Sequence, residues 1–419
     1  MNGMRRLFEL IVLEGSALIL SGALLGMLLE TDQTPLEGNA AWRLVLTIAY
    51  LAVTLVLLPW YAEILIILRR NWSLVALLVL ALLSSLWADM PDLVLRKTIG
   101  LIGATLFGIA LAVRFSFSEQ LRMLSWLFRI LAVLSITWVM LFPSYGISAD
   151  GEWMGVFDYK NAMGTAMGLS LLVEWQRPAA DRLSKVLKSL AMSLSAALLL
   201  NADSVTPAVA LVSTLIFLNI YKFAALRLRL PLYAVLMLTA VLLSAGLSFV
   251  IANSDSVMSL LGRSSNLTGR TEIWDLVISF IPQRPILGFG YAGFWQGASP
   301  ESFVVNRVMR GPIMYSHNGY LEMFLNLGVI GFLLTLFFIG TGMKRALYLS
   351  KQRQFVMELW PLAFLLYFMF HNMGECTILQ QNLEWAMCVS CIVGTDLLLL
   401  VPHAEEQREL PLIPLEGLS

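Results

Sequence analysis

Apolar runs long enough to cross a bilayer recur from one end of the chain to the other, and this limits the possible folds more than any other feature. A run of about 17–25 such residues spans the hydrocarbon core as a helix, which satisfies its own backbone polar groups where water is absent. A spanning β-barrel would alternate apolar and polar residues, and stretches such as Leu74 to Leu83 do not. Composition agrees, since 58% of the 419 residues are hydrophobic and 13% charged, outside the range of soluble domains. The chain reads as an all-α polytopic membrane protein, one integral unit over residues 1–419.

Twelve spans are expected, near residues 8–29, 43–68, 72–88, 98–113, 123–142, 161–175, 187–201, 205–221, 230–252, 318–342, 355–371 and 383–401. The second is long enough to tilt or to bend after Pro59. Met1 to Leu29 carries Arg5, Arg6 and Glu14 and reads as a retained span rather than a cleaved signal. Cytoplasmic connections hold the excess of Lys and Arg in membrane proteins. On this map one side holds 18 of the 28 basic residues; the other holds Arg43, Arg96, Lys97 and Lys160 in short connections and five more in one long loop. Both termini are therefore expected in the cytoplasm. The 28 acidic residues cancel the 28 basic ones, so no basic field suggests nucleic acid as a partner. The three cysteines form no complete disulfide framework, and Cys388 and Cys391, inside an apolar helix, read as packing residues.

The long external loop, residues 253–317, holds Trp274, Phe280, Phe289, Tyr291, Phe294, Trp295, Phe303 and Tyr315, too aromatic for a solvated tether. Within it, Gly269 to Ile281 reads as an amphipathic helix with Ile273, Trp274, Val277, Ile278 and Ile281 on one stripe, lying in the membrane interface or capping the bundle. Pro282 and Pro285 end it, and Gly288, Gly290 and Gly293 allow tight turns.

This loop puts Arg263, Arg270, Arg284, Arg307 and Arg310 on the external face. Clustered guanidiniums suit a phosphate or diphosphate, because each offers a planar fork to two oxygens. Arg270 is favoured, since it opens the amphipathic helix, whose free N–H groups would assist the same anion. The alternative for each is headgroup contact or surface pairing. His317 stands where the loop re-enters the membrane, in Tyr315-Ser316-His317-Asn318-Gly319-Tyr320, with Glu322 a turn further on. An imidazole, titrating near neutrality, suits accepting a proton from a sugar hydroxyl, against a purely interfacial role. Gly155 to Asn161 forms a second constellation, in which Lys160 and Asn161 would bind diphosphate or sugar hydroxyls, unless Lys160 merely snorkels. Glu375 would accept hydrogen bonds from sugar hydroxyls or serve as a helix-end partner. No metal site is expected, because neither His-x₃-His nor an Asp-rich cluster occurs on the external side.

Gly269-Arg270-Thr271-Glu272-Ile273-Trp274, Pro285-Ile286-Leu287-Gly288-Phe289-Gly290, Ser316-His317-Asn318-Gly319-Tyr320-Leu321-Glu322 and Leu327-Gly328-Val329-Ile330-Gly331 follow one another along the chain. In that order they resemble the O-antigen ligase and Wzy-type polysaccharide polymerase family, and Phe157 through Gly164 is similar to the Lys-Asn segment of its exopolysaccharide-polymerase branch. One departure is that Val205, in Asn201 to Pro207, stands where such proteins often carry a basic residue, which leaves either Lys160 or Arg263 to supply that charge or the donor to bind differently.

The resemblance implies a GT-C-like glycosyltransferase of the bacterial inner membrane that needs no metal or other cofactor. Its partners would be an undecaprenyl-diphosphate-linked glycan on the periplasmic face, a chain-length regulator and a flippase. It further implies His317 and Arg270 as catalytic residues, with Lys160, Asn161, Arg263, Arg284, Asn318, Glu322 and Glu375 binding substrate. Three functions stay open: polymerisation of repeat units, ligation of finished glycan to lipid A core, and secondary transport, the last motivated by Glu14, Glu63, Glu174 and Asp396 within or beside spans.

Overall fold

The computed structural model describes residues 2–23, 40–231, 268–295, 299–352 and 359–400. The described part of the chain is a helical bundle, with a lone bridge between Ile147 and Trp153 as its only β pairing. The expected ninth span from 232 onward, the loop up to 267 with Arg263, and the C-terminal tail lie outside the described residues.

In chain order the main helices are α1 (Asn2–Leu20), α2 (Ala40–Leu57), α3 (Tyr61–Arg70), α4 (Trp72–Leu83), α5 (Pro91–Arg114), α6 (Phe117–Leu141) and α7 (Lys160–Gln176). They continue with α8 (Arg182–Asn201), α9 (Val205–Ile220), α10 (Thr268–Phe280), α11 (Pro300–Val308), α12 (Gly319–Gln352), α13 (Trp360–His371) and α14 (Leu383–Leu400). Seven described helices are long and apolar enough to cross a membrane, and Trp72–Leu86 and Trp360–His371 are shorter apolar helices. The bend expected at Pro59 is a short 3-10 turn, Leu58–Trp60, between α2 and α3.

Helix starts follow local chemistry. Ser116 and Glu119 form a reciprocal capping box at α6, and the Asp181 and Ser299 side chains cap α8 and α11. Pro91 opens α5 a full two turns before the expected span at 98, because proline is preorganised for the first helical position. Arg96 and Lys97, expected in a connection, are therefore helical residues.

Burial sorts the helices into centre and periphery. α14 and α13 are enclosed along most of their length, whereas α2 and α8 turn Leu44, Ile48, Leu51 and Leu183, Leu187, Leu190 outward, as lipid-facing helices do. α5 packs most extensively on α14. Small residues allow that approach: a Cβ on Gly108 would meet the Ala386 carbonyl, one on Gly103 the Tyr50 ring of α2, and one on Gly100 the Gln381 side chain.

Charges inside the bundle collect at one end. Glu174 accepts from Arg129 at 2.7 and 2.9 Å and from Ser125 at 2.6 Å. Asp396 pairs with Arg70 at 2.8 Å and Arg345 at 3.3 Å, and Glu9 with Arg114 at 2.7 Å. These charges neutralise one another, so Glu174 and Asp396, two of the four acidic residues that motivated transport, are held in structural pairs.

The opposite end carries the long loop as a folded cap. α10 begins one residue before the expected Gly269 and passes into a 3-10 turn at Ile281–Gln283. Ile273 and Val277 of the expected stripe are buried with Phe289, Phe294, Trp295, Val305 and Leu325 in a second small core. Ile278 is 52% exposed, and Leu276 and Phe280 pack against this core in its stead. The helix therefore caps the bundle.

Two of the glycine motifs dock this cap. α12 breaks its helical backbone at Gly328 (φ 62°, ψ −162°), and Gly288 has φ 67°. A Cβ at either would strike the other segment's backbone, since Gly288 lies on Leu325 and Asn326 and Gly328 on Ile286. The close approach lets Phe289 N–H donate to Leu325 O at 2.7 Å, Gly290 N–H to Asn326 O at 3.0 Å and Val329 N–H to Pro285 O at 2.9 Å. These motifs thus do structural work, splicing a turn of the loop onto a kinked helix.

Candidate functional site

Beneath the cap is a cavity of about 1150 Å³, lined from α1, α2, α5, the start of α7, the Met314–His317 segment and the connection between α13 and α14. Its lining mixes aromatic side chains (Trp42, Tyr50, Trp295, Tyr315) with amides and charges, a surface suited to sugars.

Glu375 is the meeting point at one end. Its Oε1 accepts from Arg270 Nη2 at 3.0 Å and from Asn161 Nδ2 at 2.9 Å, and its Oε2 faces His317 Nδ1 at 3.9 Å. Three of the expected residues, distant in sequence, thus gather around a fourth. Arg270 is fixed again by donating to Thr206 Oγ1 at 2.8 Å, and Asn161 by accepting from Ser204 Oγ at 3.1 Å. The stretch that lacks the basic residue therefore still positions the site through the neighbours of Val205, whose own side chain is 46% exposed.

The Ser-His-Asn-Gly-Tyr-Leu-Glu motif is a device for presenting His317. Ser316 is buried, its N–H donates to Glu322 Oε2 at 3.0 Å, and its carbonyl accepts from Trp274 Nε1 at 2.9 Å. Asn318 Oδ1 caps α12 by accepting from the N–H groups of Tyr320 and Leu321. Gly319 sits so close to Asn372 that a Cβ would overlap it, and its N–H reaches the Asn372 and Glu375 carbonyls. Held on both sides, His317 adopts φ +52°, a left-handed backbone costing on the order of 1–3 kcal/mol in a non-glycine residue. Such strain persists only where the surroundings impose it. The imidazole is partly open to the cavity, packs on Tyr315 with ring centroids 4.4 Å apart, and keeps Nδ1 without a hydrogen bond. Burial, then the neighbouring Tyr159 and Glu375, push the Tyr315 hydroxyl well above the ordinary phenol range, so it stays a neutral hydrogen-bonding group.

Other expected residues fall elsewhere. Glu322 lines the cavity, but both its oxygens accept from Trp295 Nε1, at 2.8 and 3.0 Å, and it anchors Ser316; its first duty is to hold the loop. Lys160 lines the cavity and is ion-paired with Glu152. Arg284 is not among the cavity residues; it donates to Trp87 O and Asp89 Oδ1, each at 3.3 Å, and lies over the Phe289 ring, tying the cap to the α4–α5 connection.

The structure adds residues that sequence reading passed over. His371 and Glu384 are buried side by side, Nδ1 to Oε2 at 4.0 Å, with His371 Nε2 3.1 Å from Thr165 Oγ1. Arg43, Arg96 and Lys97 line the cavity, as do Gln380, Gln381 and Asn382. The cations lay at the edges of apolar runs with nothing in the sequence to join them; the amides follow Glu375 by a few residues, which was the available signal. Among the described residues, no three His, Cys, Asp or Glu side chains gather as a metal cluster.

Residues 190–336 match the family model described as O-antigen ligase. That stretch holds Arg270, His317, Glu322 and the glycine motifs that dock the cap. An 83-residue alignment is 31% identical to the exopolysaccharide production protein ExoQ of Rhizobium meliloti (strain 1021), covering 19% of this chain and 19% of that protein. The chain is thus similar to an O-antigen ligase and ExoQ-like group of membrane proteins, the resemblance its motifs carry.

Proposed function

On the footing of that family match, we propose that the chain is a membrane glycosyltransferase that polymerises undecaprenyl-diphosphate-linked repeat units, without a metal, at the periplasmic face of the inner membrane. The observation that carries the reading is the convergence of Arg270, Asn161 and His317 on Glu375 at one end of a large cavity lined by aromatic and amide groups.

In this reading a sugar hydroxyl of the acceptor attacks the anomeric carbon of the donor. The bond from that carbon to the diphosphate breaks, its electron pair leaving with the diphosphate oxygen, and the anomeric centre inverts. Arg270 meets the departing charge, acting as a fixed electrostatic partner. His317 takes the hydroxyl proton at Nε2, and the imidazolium so formed is steadied by Glu375 facing Nδ1. Asn161 offers its amide to a sugar hydroxyl or a diphosphate oxygen.

Ligation is the second reading, favoured by the description of the matched family model. It would use the same donor chemistry and differ in the acceptor. The name of the partial relative, an exopolysaccharide production protein, supports polymerisation.

His317→Ala and Arg270→Ala are each expected to abolish polymer while protein levels stay normal, read on glycan gels beside an immunoblot of the membrane fraction. Wild-type chain lengths from both variants would end the assignment.

A further inference from the structure

At the end away from the cavity Arg70, Arg114, Arg129 and Arg345 each lie on a carboxylate. In the cavity Lys160 has Glu152, but Arg43, Arg96 and Lys97 have no hydrogen-bond or ion-pair partner for their charged groups among the described residues. Arg96 and Lys97 are consecutive in α5, so their charges repel, and Arg43 stands on α2, which packs on α5 through Tyr50 and Gly103. Three cations lining one cavity near the ends of two spans, with no carboxylate paired to them among the described residues, suit an anion of more than one charge.

The surroundings narrow the ligand. Leu95 and Ile99 on α5 and Leu44 and Ile48 on α2 are exposed beside these cations, so the charged head of a ligand would sit in the cavity mouth while an apolar tail lay along lipid-facing helix. The segment Glu375–Glu384 runs from the His317 end to this one. Gln381, against Gly100 one turn beyond Arg96, donates to Tyr50 Oη at 2.7 Å. Between the two ends the segment offers Thr377, Gln380 and Asn382 to the cavity, and the buried His371 Nδ1 and Glu384 Oε2 have no hydrogen-bond partner. That path is set for sugar hydroxyls.

We propose that Arg43, Arg96 and Lys97 bind the diphosphate of a second lipid-linked glycan, the acceptor, whose distal sugar lies along Glu375–Glu384 and presents its hydroxyl to His317. The inference rests on the transfer reading above and deepens it, because an acceptor that itself carries a lipid diphosphate belongs to polymerisation. It also gives the site two separate diphosphate positions, Arg270 for the donor and this cluster for the acceptor.

The test uses the purified full chain in neutral-lipid nanodiscs with a lipid-linked donor and one repeat unit as acceptor, offered on a short isoprenyl diphosphate or on a neutral alkyl aglycone. Wild type is expected to show a KM on the order of a hundredfold or more lower for the diphosphate acceptor, the least that two charge-assisted contacts supply. Arg96→Gln/Lys97→Gln, and Arg43→Gln as a second variant, should erase that preference and keep kcat for the neutral acceptor, with thermal melting showing that they fold. Transfer by wild type with no diphosphate preference, or a preference unchanged in the variants, overturns the proposal alone. Equal stimulation of both acceptors by added phosphatidylglycerol, lost in the variants, would make the cluster a phospholipid headgroup site and overturn it as well. Absence of transfer to either acceptor would instead overturn the transferase reading, and this inference with it.

Discussion

At the scale of single residues the site depends on one carboxylate. Glu375 touches Arg270 and Asn161 and faces His317, so it sets the position of three groups while being only 6% exposed itself. Glu375→Gln keeps the shape and removes the charge. It would weaken the hold on Arg270, a charge-assisted hydrogen bond of about 1.5–3 kcal/mol, and remove the carboxylate that faces His317 at 3.9 Å. The expected result is a fall in kcat of roughly ten- to a hundredfold with little change in KM for donor, measured in a purified transfer assay. Glu375→Ala, which also frees Asn161, should fall further. The sequence showed these residues unevenly. His317, Arg270, Asn161 and Glu375 stood in short polar stretches between apolar runs, where a functional side chain is visible. Arg43, Arg96 and Lys97 looked like ordinary residues at span ends, because only packing of α2 on α5 turns them into one cavity wall. Glu322 and Arg284 carried the right chemistry for binding, yet tertiary contacts engage them in holding the cap.

At the scale of elements the cap and α12 form one mechanical unit. The amphipathic pattern of α10 was legible within one residue at its start, since hydrophobic period and flanking prolines report local structure directly. The helix Pro300–Val308 was not read, because its apolar positions are few and its Ser299 cap is a short signal. The kink at Gly328 was hidden too: an apolar run gives no sign of a break, although its glycine was conspicuous as a motif. Its ψ of −162° with positive φ is a conformation essentially confined to glycine. Gly328→Ala therefore adds a strained backbone to a clash with the Ile286 carbonyl. We expect a loss of about 1–3 kcal/mol or more from backbone strain alone, a cap released from α12, and faster tryptic cleavage at Arg307 and Arg310. Limited proteolysis in detergent, followed by mass spectrometry, reads this directly. Activity should fall together with the protection, because His317 lies between the cap and α12.

At the scale of the whole molecule, ionic ties brace one end of the bundle and the large cavity opens the other. Arg129 and Glu174 are 12% and 1% exposed and form two hydrogen bonds, so removing one partner strands a buried charge. Arg129→Ala should cost about 3–5 kcal/mol, whereas Arg129→Leu with Glu174→Leu should cost much less, a difference visible in melting temperature. The ion pairs occupy Glu174 and Asp396. The decisive measurement is the size distribution of lipid-linked glycan in the source organism after deletion of this gene. A polymerase is required before any chain exists, so its loss should leave single repeat units on the carrier. A ligase acts on finished chains, so its loss would leave long chains on the carrier and none on the final acceptor. An unchanged lipid-linked pool would contradict both and return the chain to transport.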